Sequence, residues 1–210
     1  MNSLGSYYLG ALLHPRRTFD ALLADPRRLR FGLLAVAINA VLYTLVYVFL
    51  TMRGGAPSSF TPWLNIPKDV YYSYDRFILA PSMFAAWILA AGVAQLLSKL
   101  FGGKGSFEDN LSVFGVAIGV SSLFSLVHDL TDTFLAAIGL LDVKWYEVAL
   151  NTPTIWRTIL WILYGLYFLF FFFLFPKATG ASQRLKPAPA ILIGVLSYLV
   201  YQGVFFIFNR

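Results

Sequence analysis

Five apolar stretches, each about as long as a bilayer is thick, constrain this chain more than any other feature. They cover residues 31–50, 77–97, 107–127, 155–175 and 188–208. A helix rises about 1.5 Å per residue, so about twenty residues cross a hydrocarbon core about 30 Å thick. No water is available there to satisfy backbone N–H and C=O groups, and a segment of this length meets the demand by coiling into a helix. The expected fold is all-α, a polytopic membrane bundle of five transmembrane helices. A sixth apolar piece, residues 134–141, is too short to cross. It reads as a continuation of the third span or as an interfacial turn.

Composition agrees with this reading. Hydrophobic residues make up 59% of the chain and charged residues 12%, against about 45–50% and about 25% in soluble domains. The net charge of +6 suits either nucleic acid or anionic lipid. The basic residues flank apolar spans, which selects lipid headgroups and not nucleic acid. The chain has no cysteine, which removes disulfides, thiolate metal ligands and cysteine nucleophiles.

Residues 1–25 form a basic, amphipathic segment ahead of a five-helix domain, residues 26–210. The apolar run at 7–13 leads into His14-Pro-Arg-Arg rather than a cleavage site, so it does not read as a signal peptide. Pro15 suits the first position of a short helix, on which Phe19, Leu22 and Leu23 share a face fit for the bilayer surface. Asp25-Pro26 reads as the start of the next helix. Arg16, Arg17, Arg27, Arg28 and Arg30 precede the first span and are the expected contacts to anionic headgroups, each worth about 1 kcal/mol near a negatively charged leaflet. The loop 51–76, with Trp63, Tyr71, Tyr72 and Tyr74, has the aromatic character of the headgroup level, as does Lys144-Trp-Tyr-Glu147. The phenylalanine-rich run 168–175 is apolar all round and much of it is expected to face lipid, with Pro176 and Lys177 closing the fourth span. With the N-terminus cytoplasmic, ten of the 16 lysines and arginines fall inside and six outside, the distribution that the positive-inside rule favours.

The third span is the expected centre of the bundle. A glycine turn, residues 98–106, leads into it. Ser106 is placed to cap the helix, with Asp109 three residues on, and Glu108 and Asp109 suit the positive end of the helix dipole. Ser112, Gly115, Gly119 and Ser122 then recur on one helix face. Side chains this small let two helix backbones approach closely. Ala86, Ala90 and Ala94 make a similar stripe on the second span.

Two motifs invite chemistry. Gly102-Gly-Lys-Gly-Ser106 resembles a phosphate-binding loop, but Gly105 stands where that loop needs Ser or Thr after Gly-Lys, and an apolar helix precedes it in place of a strand. It reads as a turn carrying Lys104. His128, Asp129 and Asp132 are the one cluster with acid–base potential, and a His/Asp pair four residues apart is able to bind a divalent metal or relay protons. At the outer end of a span, however, solvated polar residues are commonplace. Within the spans the polar side chains are few, chiefly Asn39, Gln95 and Gln202, with no charge at mid-depth where proton-coupled carriers keep one. Ser121, Ser122 and Ser125 read as packing residues with no base in reach. The chain is expected to be neither an enzyme nor dependent on a cofactor.

A family resemblance rests on two segments, His14-Pro-Arg-Arg-Thr-Phe19 and Gly102-Gly-Lys-Gly-Ser-Phe-Glu-Asp-Asn-Leu111. On them the chain resembles the Yip1-domain membrane proteins of the compact bacterial type. The resemblance implies a five-helix bundle with a cytoplasmic N-terminus, a bacterial inner-membrane location and no enzymatic activity. Eukaryotic relatives act in vesicle trafficking through a longer cytosolic N-terminal region that engages small GTPases and partner membrane proteins. That region and its Asp-Leu-Tyr-Gly-Pro motif are not found in this sequence, and Val120-Ser121-Ser122 stand where the family often has proline, so GTPase binding is not carried over. The leading expectation is a non-enzymatic component that organises lipid, or associates with other membrane proteins or itself, through its small-residue faces. The alternative, in line with bacterial relatives described as transporters, is a small oligomeric carrier or channel with a polar cavity reaching His128, Asp129 and Asp132.

Overall fold

The Ser106 side chain accepts from the backbone N–H of Asp109, and the Asp109 carboxylate accepts from the Ser106 N–H. This capping box starts the longest helix of the computed structural model, which describes residues 3–57 and 63–209. Among these residues there are eight helices and no strand: α1 Leu4–Leu13, α2 Pro15–Leu23, α3 Arg28–Met52, α4 Tyr71–Leu100, α5 Phe107–Ala137, α6 Val143–Ala149, α7 Ile155–Gln183 and α8 Pro187–Phe208. Five of them, α3, α4, α5, α7 and α8, are long and apolar enough to cross a membrane. In α5, 78% of the apolar window is buried inside the protein, against 22–44% in the other four. α5 is thus the central helix, and the others turn most of their apolar surface outward, as lipid-facing helices do.

α3 lies parallel to α5 because the two are tied at the same end. Arg28, at the start of α3, bonds Asp109 at 2.9 Å and Glu108 at 3.2 Å. Between these helices the backbones touch. A Cβ added at Gly115 would lie 2.3 Å from the Gly32 carbonyl oxygen, and one added at Gly32 would lie 2.8 Å from Ser112 Cα. One turn further on, the space left by Gly119 is filled by the Tyr8 hydroxyl, which a Cβ there would meet at 2.2 Å. The Tyr43 hydroxyl donates to the Ser122 carbonyl at 3.3 Å. The whole small-residue stripe therefore faces α3 and α1 of the same chain. α5 also packs on α7, and α4 and α7 both pack on α8. Ala86, Ala90 and Ala94 are completely buried.

The glycine turn is fixed to the end of α7. A Cβ at Gly105 would fall 2.0 Å from the Ser182 carbonyl oxygen, and the Lys104 N–H donates to the Gln183 carbonyl at 3.1 Å. Beside it lies a buried amide cluster. Gln183 Nε2 donates to Gln95 Oε1 and Asn110 Oδ1, both at 2.9 Å, and Ser182 Oγ donates to Asn110 Oδ1 at 2.7 Å. Amides this deep need such partners, since a buried polar group without one is costly.

Several local expectations are corrected. The helix containing Phe19 and Leu22 does begin at Pro15, but both side chains are completely buried, and α2 packs on α7 rather than presenting this face to lipid. Thr18 sits against Gly10, where a Cβ would approach its hydroxyl to 2.6 Å, so α2 folds closely back on α1. The first long helix starts at Arg28, not at Pro26, because the Asp25 carboxylate closes a turn onto the Arg27 N–H at 2.9 Å. α5 continues past residue 127 to Ala137, and the apolar piece 134–141 is, as expected, a continuation of that span, ending in a turn through Gly139 at φ +79°. α7 runs through Pro176 to Gln183. Gly194 of α8 leaves room for that proline, since a Cβ there would meet Pro176 Cα at 2.4 Å. In the phenylalanine run, Phe172 and Phe173 are exposed while Phe171, Leu174 and Phe175 are buried. In the loop expected at the headgroups, Trp63 and Tyr74 are exposed, but Tyr71 and Tyr72 are buried in the first turn of α4. Residues 58–62 of that loop, and Arg210 among the outer charges, lie outside the described residues.

Candidate functional site

The end of the bundle away from the glycine turn contains a cavity of about 520 Å³ to which all helices from α3 to α8 contribute. Its walls are rich in aromatic side chains, with Tyr43 from α3, Tyr164 and Tyr167 from α7 and Tyr201 from α8. The Tyr43 hydroxyl is hydrogen-bonded to Ser125 Oγ, and the Tyr167 hydroxyl donates to Gln202 Oε1 at 3.3 Å. Among the lining residues only Asn151 and Trp161 are exposed, which puts the mouth beside the start of α7.

The charged part of the lining is built by the extension of α5 and by α6. About three more turns of α5 than a bare span requires would leave His128, Asp129 and Asp132 in the open, but α6 covers them. Asp142 caps α6 by accepting from the Trp145 N–H at 2.7 Å, and the helix then turns Tyr146 and Glu147 inward while Lys144 and Trp145 stay exposed. His128 Nδ1 lies 3.2 Å from Asp129 Oδ1 and 3.1 Å from Asp132 Oδ2, and Nε2 lies 2.7 Å from the Tyr146 hydroxyl. With the Nδ1 proton shared between the two carboxylates, Nε2 of a neutral ring accepts from the tyrosine. Burial pushes the Tyr146 hydroxyl well above the usual tyrosine range, so it stays protonated and able to donate. Glu147 accepts from the Tyr72 hydroxyl at 2.7 Å, which ties α6 to the start of α4. Arg157 adds a positive charge to the same lining.

The three residues singled out by acid–base potential are thus brought together, but not at a solvated helix exit: His128 is only 7% exposed. They form a hydrogen-bonded trio rather than a ligand set. Among the described residues no group of three His, Cys, Asp or Glu side chains is arranged to hold a metal ion.

The five arginines divide into two groups. Arg27 pairs with Asp25 at 3.2 Å and lies over the Phe31 ring at 5.1 Å, while Arg28 bonds the start of α5. Arg16, Arg17 and Arg30 are exposed. The Arg27 guanidinium and backbone N–H hold the Asp25 carboxyl below the usual aspartate range.

Sequence reasoning missed Tyr72, Glu147, Arg157 and the tyrosine walls. Tyr146 and Glu147 were legible only as part of an amphipathic interface anchor, and the partner of Glu147 lies on a helix far away in the chain. The tyrosines had a faint signal, since Tyr164 and Tyr167 fall three residues apart on one side of an otherwise apolar span.

Apolar outer helices around a buried centre, with a cavity entering from one end, define a polytopic α-helical membrane protein. Within that class the chain belongs to the Yip1 domain family, which matches residues 9–207. No curated protein and no solved structure matches it.

Proposed function

We propose that the protein is a non-enzymatic membrane component that acts by binding, organising anionic lipid or a partner membrane protein at its basic end. The bundle stands in the bacterial inner membrane with that end, N-terminus included, in the cytoplasm. The observation that carries this reading is the group of exposed arginines, Arg16, Arg17 and Arg30, set beside lipid-facing helices. Membership of the Yip1 domain family supports a component of this kind. The small-residue stripe has a different role, because its contacts are made inside the chain. Co-purification from native membranes tests the proposal. Anionic lipid or a membrane protein is expected to accompany the wild type and to be depleted on replacing the three arginines with glutamine. Equal recovery from both would overturn it.

A second reading, a small carrier, is favoured by the cavity of about 520 Å³ that reaches His128, Asp129 and Asp132. Its test is solute flux in liposomes reconstituted with the full chain. A specific flux that disappears in Asp129→Ala supports it, and none across a solute panel counts against it.

A further inference from the structure

The cavity has a volume within the range of about 300–1,000 Å³ typical of small-molecule sites. It differs from an ordinary packing defect in that its lining sorts by chemistry. At the outer end the lining holds three carboxylates, Asp129, Asp132 and Glu147, together with one guanidinium, Arg157, and one imidazole, His128. Among the described residues no other ionisable acid or base, tyrosine hydroxyls aside, lines it. Even with His128 protonated the lining keeps a net negative charge. Deeper in, the walls are faces and edges of Tyr43, Tyr164, Tyr167 and Tyr201.

Each half of this lining selects the same kind of guest. Aromatic faces attract a cation through the ring quadrupole, most strongly where water is excluded. Carboxylates in a site of low polarity favour a positive charge and penalise an anion by like-charge repulsion. A compact inorganic cation is a poor match, because the carboxylates are engaged with His128 and Tyr72 and the tyrosine walls offer no ionised oxygen. The exposed Trp161 at the mouth belongs to a membrane-spanning helix, so a guest soluble in the bilayer reaches the opening directly.

We propose that this cavity binds a lipophilic organic monocation, an amine, quaternary ammonium or phosphonium with apolar substituents. The positive centre sits near Asp129, Asp132 and Glu147, and the apolar part lies against the tyrosines. This deepens the second reading above and rests on its premise that the cavity is a binding site, but it does not require transport.

The test uses the purified full-length protein in a neutral maltoside detergent and two probes of nearly equal size and opposite charge, tetraphenylphosphonium and tetraphenylborate. Binding is followed by equilibrium dialysis against a detergent-only blank. Saturable binding of the phosphonium is expected, with the borate at least about tenfold weaker, a difference of about 1.4 kcal/mol. Asp132→Asn and Glu147→Gln should each weaken the phosphonium by about tenfold or more without improving the borate. Equal affinity for the two ions overturns the proposal, as does an absence of saturable phosphonium binding. The wild-type comparison of the two ions decides the matter even if a variant fails to fold. Phosphonium binding without liposome flux keeps the inference and removes the carrier reading. Flux of a neutral or anionic solute by a protein that ignores the phosphonium does the reverse.

Discussion

Gly115 shows how much a single hydrogen atom decides in this bundle. Its spacing from Ser112, Gly119 and Ser122 marked a surface for close approach, but nothing in the chain marked Gly32 and Tyr8 as what approaches. A methyl group at Gly115 would overlap the Gly32 carbonyl at 2.3 Å, and backbone cannot step aside as a flexible side chain can. Gly115→Ala is expected to destabilise the protein by about 1–3 kcal/mol, the usual cost of overpacking. Gly92→Ala, in α4 with nothing within 4 Å of the new methyl, should be neutral or gain up to about 1 kcal/mol from helix propensity. Thermal unfolding in detergent separates the two, and equal melting of both variants would contradict the α3–α5 contact. Asp25 offers a pH-dependent counterpart. Its pKa is lowered in the folded protein by the Arg27 guanidinium and N–H. Its stabilising contribution is therefore complete above the unfolded value of about 3.9 and is lost as pH falls through the lower folded value. An acid titration of the melting temperature should show that loss in the wild type and a shallower decline in Asp25→Asn.

The helices illustrate why spans were easy to locate and their ends were not. Twenty apolar residues announce a crossing through solvation alone, and all five appear. Where a helix stops depends on what receives its last turns. α7 passes Pro176 because Gly194 makes room for the ring, and α5 passes residue 127 because α6 shelters the turns that follow. At the other end, Gln183 closes α7 onto the glycine turn through Asn110 and Gln95. Asn110→Leu should therefore cost about 1–3 kcal/mol for each buried partner left unsatisfied. Combining Asn110→Leu with Gln183→Leu should be less damaging than the sum of the two, with a coupling of about 0.5–3 kcal/mol, read from unfolding in detergent. Strict additivity would mean that the amide cluster does not act as a unit.

For the molecule as a whole, the basic end and the cavity end are opposite, and topology is open to a direct check. The cysteine-free chain accepts single reporters at Lys104 and Lys144, both exposed, the second preferable to Asp142 because that carboxylate caps α6. With the N-terminus inside, a membrane-impermeant maleimide applied to intact cells should label Lys144→Cys and not Lys104→Cys; the opposite pattern would invert the orientation.

The chain by itself determined the solvent and the number of crossings, because hydrocarbon imposes one rule on every backbone group wherever it lies. It also determined the cap at Ser106 and the small-residue face of α5, both set by neighbours a few positions apart. The tertiary structure alone decided that Phe19 and Leu22 bury against protein, that His128 and its carboxylates line a cavity, and that Tyr72, Glu147 and Tyr146 join them. Those outcomes depend on contacts between distant helices, and local spacing carries no record of which helix will arrive.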